Sequence, residues 1–409
     1  MILLNKSDRV APKSTREWTM TELYDDLPEM DAFDTAPVRL TVDLQALAEN
    51  WQDLARRSGK ARAGAVVKAD AYGLGIEDCG LTLYEAGARD FFVAVPSEGA
   101  TLRAYAPEAR IFVLSGIWPG QERLFLENDL VPVLASEEQL AFWMSLIAEI
   151  GPYPCALQVD TGFNRLGIRP EEAIALAHDV SRPASFDPVL ILSHLHSADT
   201  PNDPQNRAQL DSFQQVTQAF EGIDRSLSAS AGIFLGSDYH FDLTRPGIAL
   251  YGGEATGGIK NPMRPVAKAE ARILQLRNAP AGETVSYGGA HRLTRDSRLA
   301  IASVGYADGY LRSLSGAGIP LRQAVPQGAV GFFNGFRLPV VGRITMDLTV
   351  FDASDLPEAA LRAGDYIELF GPNLALDEVA RAGGSIGYEL LTSIGLRHER
   401  RYIGEEASL

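Results

Sequence analysis

Apolar and polar positions fall into three regimes along the chain. To about residue 36 they are aperiodic and the segment is polar, which predicts an arm or tail. From Val38 onward, short apolar runs recur at Ala65–Lys68, Phe91–Val95, Ile111–Leu114, Val131–Leu134, Ala156–Asp160 and Leu190–His194. Between them, segments such as Leu44–Ser58 and Ser136–Ile150 carry apolar residues at helical spacing. Strand followed by helix, repeated, predicts a parallel sheet with crossover helices. Six such strands within about 130 residues, with one or two more by Ile248-Ala249-Leu250, approach the eight units of a closed (β/α)8 TIM barrel. An open doubly wound sheet is the competing architecture, but no G-x-G-x-x-G follows the first strand and no G-x-x-x-x-G-K-[ST] occurs.

After about Pro265 the rhythm lengthens. Ala267–Leu276 alternates, Gly282-Glu283 reads as a turn, and Asn334-Gly335 lies between Gly331-Phe332-Phe333 and Phe336-Arg337-Leu338, a strong hairpin signal. The fold class expected is α/β, a TIM barrel with a C-terminal, mostly antiparallel β domain. The expected boundaries are an arm over 1–36, the barrel over 37–265 and the β domain over 266–409.

Composition narrows the partners. Of 409 residues, 53 are acidic and 37 basic, a net charge of −16, and Lys and Arg form no stripe, which argues against nucleic acid. No run of about 18 uncharged apolar residues predicts a membrane span. The opening residues lack the charged start and apolar stretch of a secretory signal, and Cys79 and Cys155 are too few for a disulfide framework. The expected setting is the cytoplasm, with both cysteines as core filling.

Lys68 ends the first clear barrel strand, so its amine is expected at the C-terminal rim, where barrel enzymes build their sites. The apolar approach Ala65-Val66-Val67 desolvates it, which lowers its pKa and frees the amine to attack an aldehyde. Spacing alone equally allows a lysine that snorkels into solvent.

The motif AVVKADAYGLG (65–75) resembles the cofactor-lysine motif of the alanine racemase family. VDTGFNRLG (159–167), SHLHSAD (193–199), TRPGIALYGG (244–253), VSYGG (285–289), VGYADGY (304–310), GRITMD (342–347) and GYELLTSIG (387–395) resemble further blocks of that family, in its order. The resemblance spans roughly 37–405. It implies a barrel that holds pyridoxal 5′-phosphate, a β domain, and a homodimer with shared active sites acting on a small amino acid, L- or D-alanine. Racemisation at Cα takes a proton from one face and returns it to the other, so two acid/base groups must flank a flat carbanion. The resemblance assigns these to Lys68 and Tyr287.

The resemblance also implies the surrounding roles. Arg245 hydrogen-bonds the pyridine nitrogen, and because a guanidinium only donates, that nitrogen stays unprotonated and the electron sink is tempered. His194 tunes the cofactor and the tyrosine, and Tyr72, Ser230, Gly247, Ile248 and Tyr388 hold the phosphate. Arg165 contacts the cofactor oxygen and the substrate carboxylate, the Met346 N–H binds that carboxylate, and Tyr306 and Asp347 shape and support the entrance. Tyr287, Tyr306 and Met346 reach the site from the other subunit, so that a monomer is inactive.

Several positions depart from the family pattern. Gln158 stands where many members carry a carbamylated lysine that orients the arginine matching Arg165, leaving a chloride or the amide oxygen to take over. Ala229 replaces the usual asparagine, Leu74 a histidine, Asp70 an asparagine and Thr345 a cysteine. Ala229 and Thr345 leave room for serine or another short side chain. Competing readings are weaker on specific residues. A barrel-type amino-acid decarboxylase pairs the pyridine nitrogen with an acid, which Arg245 is not. A noncatalytic cofactor-binding protein resembles the barrel alone, whereas VSYGG and GRITMD lie beyond it. A metal hydrolase built on His194-x-His196 and Asp199 finds no second cluster among His178, His240, His291 and His398, so no metal is expected.

Overall fold

The computed structural model describes residues 31–404. Of the expected arm over 1–36, the part before residue 31 lies outside the described residues; within the remainder, Ala32–Thr35 is a single helical turn.

The barrel strands are β2 (Arg62–Ala63), β3 (Ala65–Val66), β4 (Asp90–Val93), β5 (Arg110–Val113), β6 (Leu130–Leu134), β7 (Tyr153–Gln158), β8 (Phe186–Leu192), β9 (Asp224–Ser226) and β10 (Leu243–Thr244), preceded by β1 (Val38–Asp43). Strands β3 to β9 form a parallel seven-stranded sheet in chain order. Closure comes from β10, which pairs in parallel with β2. On its other side, Asp242 N donates to Arg225 O at 3.0 Å and Arg245 N to Ser228 O at 2.8 Å. Only Gly64 separates β2 from β3, and a Cβ there would stand 2.7 Å from the Asp90 carbonyl oxygen of β4 and 3.3 Å from the Thr244 carbonyl oxygen of β10, so the close approach of the neighbouring strands needs glycine.

The helices are α1 (Leu44–Ser58), α2 (Ile76–Ala86), α3 (Pro96–Arg103), α4 (Glu122–Glu127), α5 (Glu137–Ile150), α6 (Pro170–His178), α7 (Pro204–Gln218) and the short α8 (Ser230–Ile233). Their sequence signals are local. Asp43 and Ser136 cap α1 and α5 by accepting from Ala46 N and Gln139 N, and proline opens α3, α6 and α7. The one or two further strands expected by Ile248-Ala249-Leu250 are β9 and β10; Ile248-Ala249-Leu250 itself is a run of turns, with Leu250 N donating to Gly247 O and Tyr251 N to Ile248 O. The three side chains are buried, and a short apolar run does not distinguish a buried turn from a buried strand. The last barrel strand is Leu243–Thr244, ending before Pro246.

Beyond the barrel the chain enters β11 (Ala267–Ala279), the hairpin β12 (Thr284–Val285) and β13 (His291–Arg292), then β14 (Ser297–Ala302), β15 (Val330–Phe333), β16 (Phe336–Pro339), β17 (Thr349–Asp352) and β18 (Tyr366–Phe370). Two helices, α9 (Leu376–Ala382) and α10 (Gly387–Thr392), precede the final strand β19 (His398–Ile403). The sheet order is β16-β15-β18-β11-β1-β19, with β14 joining β11 to β17. Its pairs are antiparallel except β1 with β19. Thus β1, first in the chain, is a strand of the second sheet, paired on both sides within it. The Asn334-Gly335 hairpin forms as expected, both residues at positive φ between the paired Phe333 and Phe336. Cys79 and Cys155 are buried and unbridged. No described helix is long and apolar enough to cross a membrane.

Candidate active site

The C-terminal ends of the barrel strands surround a cavity of about 1050 Å³. Lys68, Tyr72, Gln158, Arg165, His194, Ser230, Arg245, Gly247, Ile248 and Tyr388 all line it. The barrel residues assigned to the cofactor and substrate in the sequence therefore meet at one place, with Tyr388 joining them from the second domain.

Lys68 follows β3 directly, at the head of a backbone turn in which Ala69, Asp70, Ala71 and Tyr72 all adopt left-handed conformation, φ between 51° and 59°. Non-glycine residues pay about 1–2 kcal/mol each for this geometry. The turn places the amine of Lys68 and the ring of Tyr72 on the same cavity. Lys68 is open to a small molecule inside the cavity yet walled by protein, and burial pulls its pKa down from the usual lysine range. Arg165 and Arg245 pull it down further, against Glu98, which raises it. A lowered pKa leaves more of this lysine as the free amine, the form that attacks an aldehyde and accepts a proton.

Arg245 is almost fully buried. Its Nη1 donates to Ser226 Oγ at 2.5 Å and its Nη2 to the Ser193 carbonyl at 2.6 Å, which fixes the plane of the guanidinium on the cavity floor. Burial lowers its pKa to about 10, so at neutral pH it remains a charged donor. His194 lies on the same wall, 5.4 Å from the Phe163 ring centroid. Burial, reinforced by Arg245, Arg165 and Lys68, lowers its pKa to about 3. His194 is thus neutral at working pH, and the cationic side chains that line the cavity are Lys68, Arg165, Arg245 and Arg381.

Arg165 rests on the Phe163 ring at 4.1 Å from its centroid. The loop carrying both is shaped by Asp160, whose Oδ1 accepts from the N–H groups of Gly162, Phe163 and Asn164 and whose Oδ2 accepts from Arg165 N. Gln158 sits beneath, its Nε2 donating to the Leu166 carbonyl at 2.9 Å. Sequence reasoning passed over Asp160, Phe163, Ser193 and Ser226. For Asp160 a signal was present, since an aspartate followed by Gly and Asn favours a turn closed by its own carboxylate; for the two serines none was.

The remaining lining suits a phosphate ester. Ser230 Oγ accepts from Gly247 N and Ala249 N, and a Cβ on Gly247 would stand 2.4 Å from the Tyr72 hydroxyl oxygen. Tyr72 packs between Tyr251 and Tyr388, at 4.6 and 5.9 Å between ring centroids. Burial pushes the Tyr72 phenol up, and that of Tyr388 up to about 12, so both stay protonated and can donate. An amine with a lowered pKa, hydroxyl donors beside a bare glycine backbone, and a fixed guanidinium fit pyridoxal phosphate.

The β-domain candidates lie elsewhere. Tyr287, Tyr306, Met346 and Asp347 do not line the Lys68 cavity within one chain. They are exposed, Tyr287 at 73%, and they sit on adjoining loops. Arg343 Nη1 donates to Tyr287 O, Tyr306 N donates to Thr345 O, and Arg397 bonds Asp347. The His194–His196 pair gathers no further ligands: among the described residues no three His, Cys, Asp or Glu side chains converge.

Comparison with known proteins matches the geometry. Residues 42–255 fit the model of the alanine racemase N-terminal domain and 266–402 that of the C-terminal domain. The chain is 72% identical over 375 residues to the biosynthetic alanine racemase of Agrobacterium fabrum, covering 92% of this chain and 96% of that one. It is 63% identical over 372 residues to the alanine racemase of Rhizobium meliloti, covering 91% and 98%. It superposes on the crystal structure of the Bartonella henselae alanine racemase with covalently bound pyridoxal phosphate at a TM-score of 0.83 and 37% identity, covering 90% of this chain and all of that one.

Proposed function

The chain belongs to the alanine racemase family, and from that premise we propose that it interconverts L- and D-alanine by a two-base proton transfer at Cα. The observation that carries this is the convergence of Lys68, Arg165, His194 and Arg245 on one cavity with the Tyr72, Ser230 and Gly247 cradle beside it.

When bound, pyridoxal phosphate supplies the electron sink that makes the Cα–H acidic. Lys68 would hold the cofactor, and its amine would carry a proton to or from one face of the substrate Cα. Its lowered pKa suits that exchange near neutral pH. Tyr287, contributed by a second copy of the chain, serves the opposite face. Arg245, locked by Ser193 and Ser226, donates to the pyridine nitrogen and keeps it unprotonated. Tyr72, Ser230, Tyr388 and the N–H groups of Gly247 and Ile248 take the phosphate.

Arg165 pairs with the substrate carboxylate, joined by the Met346 N–H of the second copy; Gln158 and Asp347 support the two sides, and Tyr306 narrows the entrance. The exposure of Tyr287, Tyr306 and Met346 in one chain supports a homodimer with shared sites. The working division is a cofactor barrel over 37–265 and a completing β domain over 266–409. A biosynthetic role follows the designation of the Agrobacterium relative, and the cytoplasm suits that role.

The test is direct. Purified chain supplied with pyridoxal phosphate develops a visible absorbance band and converts either enantiomer of alanine to the racemate. Lys68→Ala removes both the band and the conversion, and a wild-type protein without conversion refutes the proposal. Serine is the informative second substrate, because Ala229 lines the cavity while the Thr345 hydroxyl is bound to the Leu348 backbone.

A further inference from the structure

The left-handed turn after Lys68 needs something to hold it, since four successive non-glycine residues there sit in a disfavoured region. Inside the turn, Gly75 N donates to Asp70 O at 3.0 Å and Ile76 N donates to Asp70 Oδ1 at 2.8 Å. From β19, Arg400 Nη2 donates to Gly73 O at 3.0 Å and Tyr402 OH to Leu74 O at 2.9 Å, at the far end of the turn; nearer Lys68 the contact from outside is Glu98, on the first turn of α3 and half-buried. Its Oε1 accepts from Asp70 N at 3.3 Å, and its Oε2 accepts from Ala94 N at 2.8 Å and Val95 N at 3.4 Å. One carboxylate therefore ties the turn after β3 to the end of β4. It lies behind the turn, not on the Lys68 cavity, whose lining does not include it.

Glu98 is also the negative member among the charges that act most on Lys68. Arg165 and Arg245 face the amine from the cavity side, and neutral His194 stands on the same wall. We infer that Glu98 is a positioning residue for Lys68: its carboxylate pins the turn that aims the amine and sets one negative charge against two guanidiniums. Without that charge the ammonium would be disfavoured further, and Lys68 would return protons too readily and take them up too weakly.

The inference rests on Lys68 as a proton carrier, and its test starts from Tyr287→Phe, in which Lys68 is the remaining base. The rate of Cα-deuterium washout from alanine is followed against pH for each enantiomer. In this background Glu98→Gln moves the acid limb of the Lys68-dependent washout to lower pH by roughly half a unit to one unit. The plateau falls by about tenfold as the amide keeps a single acceptor oxygen and the amine is aimed less well. Glu98→Asp restores the charge and returns the limb toward its original pH.

An unmoved limb, or a loss of rate that is the same for both enantiomers when Tyr287 is intact, overturns the inference and leaves Glu98 a structural residue. Should Glu98→Gln not fold, Glu98→Asp decides alone: retracting the carboxylate by one methylene lowers the plateau, and an unchanged plateau refutes the role. If Tyr287→Phe washes out deuterium from neither enantiomer, the assignment of Lys68 fails first and the inference falls with it.

Discussion

The Tyr72 hydroxyl and Gly247 are in such close register that a methyl group on Gly247 would stand 2.4 Å from the phenolic oxygen. Tyr72 has no room to retreat, because its ring is held between Tyr251 and Tyr388. Gly247→Ala is expected to displace the hydroxyl or the phosphate and weaken pyridoxal phosphate binding by about tenfold, near 1.4 kcal/mol. Equilibrium dialysis against the free cofactor measures it. Unchanged retention would show that this contact does not form the phosphate site.

Asp160 satisfies four backbone N–H groups of the loop that presents Arg165. Asp160→Ala frees that loop, which is open to water, so the cost in stability is small and the cost in substrate alignment is larger. The Michaelis constant for alanine should rise by roughly tenfold with a lesser fall in kcat. Steady-state kinetics in both directions checks this, and Asp160→Asn, which keeps one acceptor oxygen, should fall between.

His194 is held neutral, its pKa lowered to about 3 from an ordinary value of 6.5. Between those two values the unfolded chain binds a proton at this histidine that the folded chain refuses, so stability falls as pH drops below about 6.5 and recovers above it. His398, lowered to about 4 by burial, acts in the same sense. Between pH 6.5 and 5 the contribution of His194 is about 1–2 kcal/mol, reduced by its contact with the open cavity. Denaturant unfolding of the holoenzyme at the two pH values should show a smaller loss for His194→Asn than for wild type. Equal losses would mean the imidazole takes its proton freely in the folded state.

The shared-site arrangement predicts complementation. Lys68→Ala and Tyr287→Phe are each expected to abolish racemisation. Unfolded together and refolded, half of the dimers are mixed, and each mixed dimer has one of its two sites intact. Activity should recover to about a quarter of wild type. No recovery would place both residues of a site in one chain.

What was legible in the sequence follows from how locally each feature is encoded. Six barrel strands, β3 to β8, were visible as apolar runs, and α1, α5 and the Asn334-Gly335 hairpin follow from caps and turn residues within a few positions. Strands β2, β9 and β10 are two or three residues long, too short to leave a pattern of their own. The place of β1 in the second sheet, between β11 and β19, joins residues hundreds of positions apart and leaves no local mark. In the site, most functional side chains lie inside recognisable motifs, whereas Ser193 acts through its backbone carbonyl, and Ser226 and Glu98 lie outside the motifs and meet Arg245 and Asp70 only in the fold. The neutral state of His194 depends on burial and on neighbouring charges that only the folded chain brings together.

The two-base account is tested most directly by hydrogen exchange in Tyr287→Phe holoenzyme. With perdeuterated solvent, the enantiomer whose Cα–H faces Lys68 should take up deuterium at Cα while keeping its configuration, and the other enantiomer should exchange slower by about a hundredfold or more. Equal exchange of both enantiomers, or exchange that survives Lys68→Ala, would contradict the assignment of one proton carrier to each face.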